Sequence, residues 1–218
     1  MKKILIPILF IISVYSASFA QDKKVRIGLR LAPSINITGV TTDFPSGSNI
    51  GTISSGSKPM TLQFGPTFDF FFGENYAFGT GLWYNVKSFN LKGNTGDQVK
   101  INAQSISIPL TLKLYTNEIA SDLKLYFQLG AVVDVKLAEK YKNQVTKDFA
   151  SSGKVIKPIN IGPYLGIGAE YVLSSSNSLF AGINYNRGVI QQFNKDYTFD
   201  SHLKVQSSQL ALEIGLKF

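Results

Sequence analysis

The chain closes on ALEIGLKF, residues 211–218, and the side chains there alternate without a break. Leu210, Leu212, Ile214, Leu216 and Phe218 fall on one side, and Gln209, Ala211, Glu213, Gly215 and Lys217 on the other. A period of two marks a β-strand, whose successive side chains point to opposite faces. A strand built this way sets its apolar face against something oily. Whether that is a protein core or a lipid bilayer decides the fold.

The same alternation recurs upstream. From Val25 to Ile37, Val25, Ile27, Leu29, Leu31, Ile35 and Ile37 oppose Arg26, Gly28, Arg30, Ala32, Ser34 and Asn36. Six further segments repeat it, with apolar faces led by Phe64, Phe68 and Phe70; Tyr76, Phe78, Leu82, Tyr84 and Val86; Ile106, Ile108, Leu110 and Leu112; Leu125, Phe127 and Leu129; Ile161, Leu165 and Ile167; and Leu179, Ile183 and Tyr185. Eight strands are expected. Their connections alternate in length: the short turns GEN, TNEIASD and LSSSNS lie between long segments near 38–59, 90–100, 136–158 and 191–204. Short turns on one rim and long loops on the other are the pattern of a transmembrane barrel of the bacterial outer membrane.

The glycines separate that reading from a soluble barrel. Gly28, Gly65, Gly79, Gly81, Gly130, Gly162, Gly166, Gly168, Gly182 and Gly215 all share the polar face. Glycine relieves crowding on a concave surface, so the polar face lines the lumen. An eight-stranded interior has no room for the large side chains of the opposite face, which therefore meet lipid. The sequence predicts an all-β, eight-stranded, antiparallel up-and-down transmembrane β-barrel with short periplasmic turns and long extracellular loops. Phe72, Tyr76, Tyr171 and Phe218 fall near the short-turn rim, and Tyr84 and Tyr185 toward the other, as interfacial girdles. Pro109 sits on the inward face without a donor N–H, and a bulge is expected there.

The N-terminus fits export. Lys2 and Lys3 precede the apolar run Ile4 to Tyr15, and Ser18 and Ala20 are placed for cleavage before Gln21, so residues 1–20 read as a signal peptide and 21–218 as the barrel. Removing Lys2 and Lys3 takes the net charge from +8 to +6. With no cysteine, the chain has no disulfide framework, thiol nucleophile or lipid anchor. Charged residues, 17%, fall below the roughly 25% of soluble domains.

Three stretches, FGTGLWYNVKSFNLKG (78–93), SISIPLTLKLYT (105–116) and IGPYLGIGAEYVLS (161–174), resemble the PorT-like outer-membrane β-barrel family. The resemblance spans the mature chain and rests on the IPL strand after a GL-Y strand and on the terminal Phe218. It implies an eight-stranded barrel in the outer membrane, without a catalytic motif, and a role accessory to protein secretion. Phe218 with Leu216, Ile214 and Leu212 also resembles the C-terminal signal read by the barrel assembly machinery.

The inward ionisable residues are the candidate site. Arg26, Arg30, Asp69, Lys113, Lys124, Glu170 and Glu213 all lie close to the short-turn rim and are expected to form one layer of ion pairs, a plug in the lumen. Trp83, also inward, reads as lumen filling. His202 is the one histidine; a lipid-modifying barrel enzyme would require it against a serine and a carboxylate, and Asp200, Ser201 and Ser207 are near only in sequence. The run Asn194 to Asp200 places oxygen-bearing side chains at alternate positions but lacks the glycine bend and distal Glu of a calcium loop. No cofactor, metal or nucleic-acid motif is found. Lys136, Lys140, Lys142, Lys147, Lys154 and Lys157 make the third long loop basic against Glu139 and Asp148, as ordinary solvation accounts for, with contact to lipopolysaccharide phosphates as the alternative. The expected function is a non-enzymatic barrel of the outer membrane. Its partners are the surrounding lipid and lipopolysaccharide, the assembly machinery during insertion, and an envelope protein. A lipid-modifying enzyme and a narrow gated channel are the alternatives.

Overall fold

A computed structural model of the chain describes residues 24–42, 54–55, 58–92, 98–141, 156–189 and 203–218. The leader, His202 and the Asn194–Asp200 run lie outside the described residues, as does most of the first long loop.

The described residues form strands β1 (Val25–Thr42), β2 (Ser54–Ser55), β3 (Met60–Gly73), β4 (Tyr76–Gly81), β5 (Trp83–Lys92), β6 (Gln98–Tyr115), β7 (Leu123–Tyr141), β8 (Ile159–Val172), β9 (Ser178–Arg187) and β10 (Leu203–Lys217). All pair antiparallel. Neighbours in sequence are neighbours in space, and β1 is hydrogen-bonded to β3 on one side and to β10 on the other, which closes the sheet. With no free edge, the wall satisfies its own backbone groups, as a bilayer demands. β4 and β5 are two parts of one crossing and β2 is a two-residue ladder beside β5, so the wall has eight crossings. From the ten residues of β9 to the nineteen of β7, every crossing is long enough to span hydrocarbon at a tilt.

Burial is inverted relative to a soluble protein. Leu212 is 59% exposed and Ile214 53%, whereas Glu213 between them is 3% exposed. The other crossings repeat this among their described side chains: aliphatic and aromatic residues cover the outside, and arginine, lysine, carboxylate and amide side chains, with a few aromatics, fill the inside. An outer face of this kind is at home only in lipid. Phe72 and Tyr76 stack at 6.1 Å beside the first short turn, and Phe64 and Tyr84 meet at 5.4 Å on the wall.

The expected bulge at Pro109 is absent. Pro109 pairs with Val132, and the β6–β7 register runs through it unshifted; the shift falls between Gln104 and Ser105 instead. What gives way is the next strand. β4 ends at Gly81, in line with Pro109 on one side, while Pro66 of β3 flanks it on the other and accepts the Leu82 N–H at 3.1 Å. Two prolines that cannot donate thus bracket the one interruption of this crossing. Gly65 stands beside it with φ +154°, where a Cβ would lie 2.1 Å from the Leu82 carbonyl oxygen. Only glycine lets the backbones approach so closely.

Candidate functional site

The lumen is organised in layers, each positioned by strand register. Near the short turns, β1 sets Arg26 opposite Asp69 of β3, and β6 brings Lys113 to the same height beside β4. Lys113 Nζ meets Asp69 Oδ1 at 2.7 Å. Lys217 Nζ lies 2.8 Å from Asp69 Oδ2 and 2.5 Å from Glu170 Oε2. Arg26 Nη1 donates to Glu170 Oε1 at 2.7 Å, and so does the Ser178 hydroxyl, also at 2.7 Å. Lys217 donates further to the Tyr115 hydroxyl, which itself donates to Asp69. Two carboxylates therefore hold three cations, and the five groups come from β1, β3, β6, β8 and β10. Buried charges persist only when paired and hydrogen-bonded in this way.

An aromatic shelf separates this cell from the next. Tyr115 and Tyr126 lie 6.0 Å apart, Phe71 packs on Tyr115 at 5.4 Å, and Phe180 completes the cluster with Ala77. Lys217 Nζ stands 5.2 Å from the Phe180 ring centre and 5.8 Å from that of Tyr126, within the range of cation–π attraction. Tyr126 can lie across the lumen because β8 and β9 present glycine beneath it. A Cβ on Gly168 would be 2.3 Å from the Tyr126 hydroxyl, and one on Gly182 2.6 Å.

The central cell is built on Glu213. Its Oε2 accepts Arg30 Nε at 2.7 Å and Asn184 Nδ2 at 3.2 Å; its Oε1 accepts the Tyr126 hydroxyl at 2.8 Å and Gln128 Nε2 at 3.0 Å. The Arg30 guanidinium lies 3.8 Å from the centre of the Trp83 ring, and Trp83 in turn packs against Tyr164 at 5.9 Å. Arginine, planar and weakly hydrated, suits a site that asks it to stack and to bond a carboxylate at once. From here hydrogen bonds run upward: Arg30 to Gln63, Gln63 to Gln209, Gln209 to Asn85, Asn85 to Ser107, and Ser107 to Asp134, which also receives Lys87 Nζ at 2.5 Å.

Of the seven ionisable residues expected to share one layer, the structure divides six between two cells: Arg26, Asp69, Lys113 and Glu170 below the aromatic shelf, Arg30 and Glu213 above it. Lys124 belongs to neither. Although paired in register with Glu170, it sits one residue from the turn, is a third exposed, and reaches Glu118 at 3.9 Å. A long cationic side chain so near the rim finds water more cheaply than the lumen. Two sets of residues join the site unexpectedly. Lys217 lies on the inward beat of the terminal strand, and Lys87 and Asp134 form an ion pair far above the short-turn rim. Of the lysines of the third long loop, Lys136 is tied through its Nζ to Glu139 and to the Ile156 carbonyl, while Lys142, Lys147 and Lys154 lie outside the described residues. Leu212, Ile214, Leu216 and Phe218 all face outward and are exposed. The described residues contain no group of three or more histidine, cysteine, aspartate or glutamate side chains able to hold a metal.

Such an arrangement pairs each buried carboxylate with cations, cross-links strands and occupies the lumen; the oxygens of Glu213 and Glu170 are already taken by donors. Residues 19–194 match the family described as outer membrane protein beta-barrel domain. Among solved structures, the outer membrane protein OprG from Pseudomonas aeruginosa superposes with a TM-score of 0.60 at 15% identity, covering 89% of this chain and 96% of that one. Neisserial surface protein A superposes with a TM-score of 0.51 at 14% identity, covering 90% and 98%. At these identities the likeness is one of fold. No curated protein matches the chain by sequence.

Proposed function

Because the chain belongs to the outer membrane protein beta-barrel domain family and is an outer-membrane protein, we propose that it acts as a non-enzymatic, plugged barrel that presents its long loops to a partner at the cell surface. The partner is an envelope protein or the surrounding lipopolysaccharide, and the PorT-like stretches make a role accessory to protein secretion the finer form of this reading. One observation carries it: at mid-height Arg30, Trp83, Tyr126, Tyr164 and Glu213 are all buried and bonded to one another across the lumen. A barrel filled in this way is a rigid mount, and its work falls to the loops. Insertion through the assembly machinery would use the outward Leu212, Ile214, Leu216 and Phe218.

The test is electrical and biochemical. The refolded barrel in planar bilayers should be silent, and Arg30→Ala with Glu213→Ala should open steps. Cross-linking from the long loops on intact cells should capture one envelope partner or lipopolysaccharide. Steady single-channel current from the unaltered protein would instead establish a pore.

A further inference from the structure

Beside the Lys87–Asp134 pair, between β5, β6, β7 and β8, lies a cavity of about 20 Å³. That is room for one guest the size of a water molecule. Asn160, opposite Asp134 on β8, lines it and is only 8% exposed, yet among the described residues neither its amide nitrogen nor its amide oxygen has a partner. A buried amide with nothing to bond is costly, so a guest that bonds it is favoured.

The remaining bonding capacity of the wall says what that guest is. Both Asp134 oxygens already accept, from Lys87 and from Ser107. Lys87 spends one of its three protons on Asp134, and the Asn160 amide has two to give. Lys136 and Lys157 line the same space. The acids facing these cations are Asp134 and Glu139, the latter bonded to Lys136. Among the described residues three cations stand against two carboxylates, which leaves one positive charge in excess, and free donors outnumber the free acceptors, of which the Asn160 amide oxygen is one. We propose that this cavity is a binding site for a small inorganic anion of halide size, held by Asn160 Nδ2 and Lys87 Nζ.

The experiment uses the full mature chain, folded in detergent micelles and crystallised with bromide replacing chloride. An anomalous peak within hydrogen-bond distance of Asn160 Nδ2 is expected. In parallel, thermal unfolding is followed at constant ionic strength as chloride replaces gluconate. The unaltered protein should show a saturable upward shift in melting temperature, as a ligand that binds only the folded state produces. Asn160→Leu should abolish the shift, and Asn160→Asp, which keeps the site polar but adds a negative charge, should abolish it too. A cavity without an anomalous peak, holding water alone, overturns the proposal, as does a chloride response of equal size in the variants.

Discussion

Arg30 and Glu213 meet at 2.7 Å on adjacent strands of the seam where the first and last strands close the wall, and both are buried. The pair is a ladder-independent tie across the closure, and the two residues are expected to behave as a unit. Arg30→Met strands a carboxylate that retains only neutral donors, and should lower stability by about 3–5 kcal/mol. Arg30→Met combined with Glu213→Gln should cost clearly less than the sum of the two single changes, because the uncompensated charge is gone. Urea unfolding in lipid vesicles reads all three variants, and an additive result would show that the two side chains are energetically independent.

Lys217 and Lys124 form a natural control for each other. Both lie near the short turns on the inward beat, but Lys217 contacts two carboxylates and is buried, whereas Lys124 reaches one exposed glutamate at 3.9 Å. Lys217→Met should therefore destabilise strongly, since Asp69 and Glu170 each lose a charged partner. Lys124→Met should change stability by no more than about 1 kcal/mol, the scale of an exposed pair. Heat-modifiable migration on gels ranks the two, and equal midpoints would deny Lys217 its place in the network.

The glycines under the interior side chains should differ according to what they face. The atoms nearest a methyl group on Gly166 all belong to the Gln128 side chain, which can shift at the expense of its hydrogen bond to Glu213. On Gly168 the methyl meets the Tyr126 ring and the Ala181 carbonyl oxygen at 2.4 Å, neither of which has room to move. Gly168→Ala should thus cost about 1–3 kcal/mol, as overpacking does, and Gly166→Ala less. Each change disturbs a donor to Glu213, Tyr126 in one case and Gln128 in the other, but only Gly168→Ala also presses on backbone, so fluorescence of the single tryptophan, Trp83, should change more in Gly168→Ala than in Gly166→Ala.

The alternation made the closed wall and the inverted burial legible, because a period of two assigns each side chain a face before any contact is known. Arg30, Glu213, Asp69 and Glu170 were legible for the same reason. What alternation does not carry is height. Strands tilt, so residues equally far from a turn in sequence do not share a level, and a single expected layer became two cells with an aromatic shelf between them. Lys87 and Asp134 had the inward parity but lay far from the rim where partners were sought. Lys217 had the inward parity too, but as the penultimate residue of the terminal strand it was left out of the expected layer, because alternation assigns its face and not its partners. Pro109 shows the complementary failure: a missing donor reveals that a ladder is weakened, but the neighbouring strand, Gly81 to Trp83, absorbed the defect.

Lys217 and Phe218 are adjacent, and the structure gives them opposite faces. Phe218 donates its backbone N–H to Ile27 at 2.8 Å, the last rung of the closing seam, while its ring points outward. Phe218→Ala leaves that rung and the whole interior intact and removes only a lipid-facing aromatic. If the ring serves recognition during insertion, Phe218→Ala should lower the amount of protein reaching the outer-membrane fraction in cells, yet refold from urea into vesicles with nearly the original midpoint. Lys217→Met should do the reverse, reaching the membrane but unfolding at lower urea, because its partners are met only after β10 has docked between β9 and β1. Quantifying both variants in both assays separates the two roles, and parallel losses in the two assays would show that the terminal strand has a single role in stability.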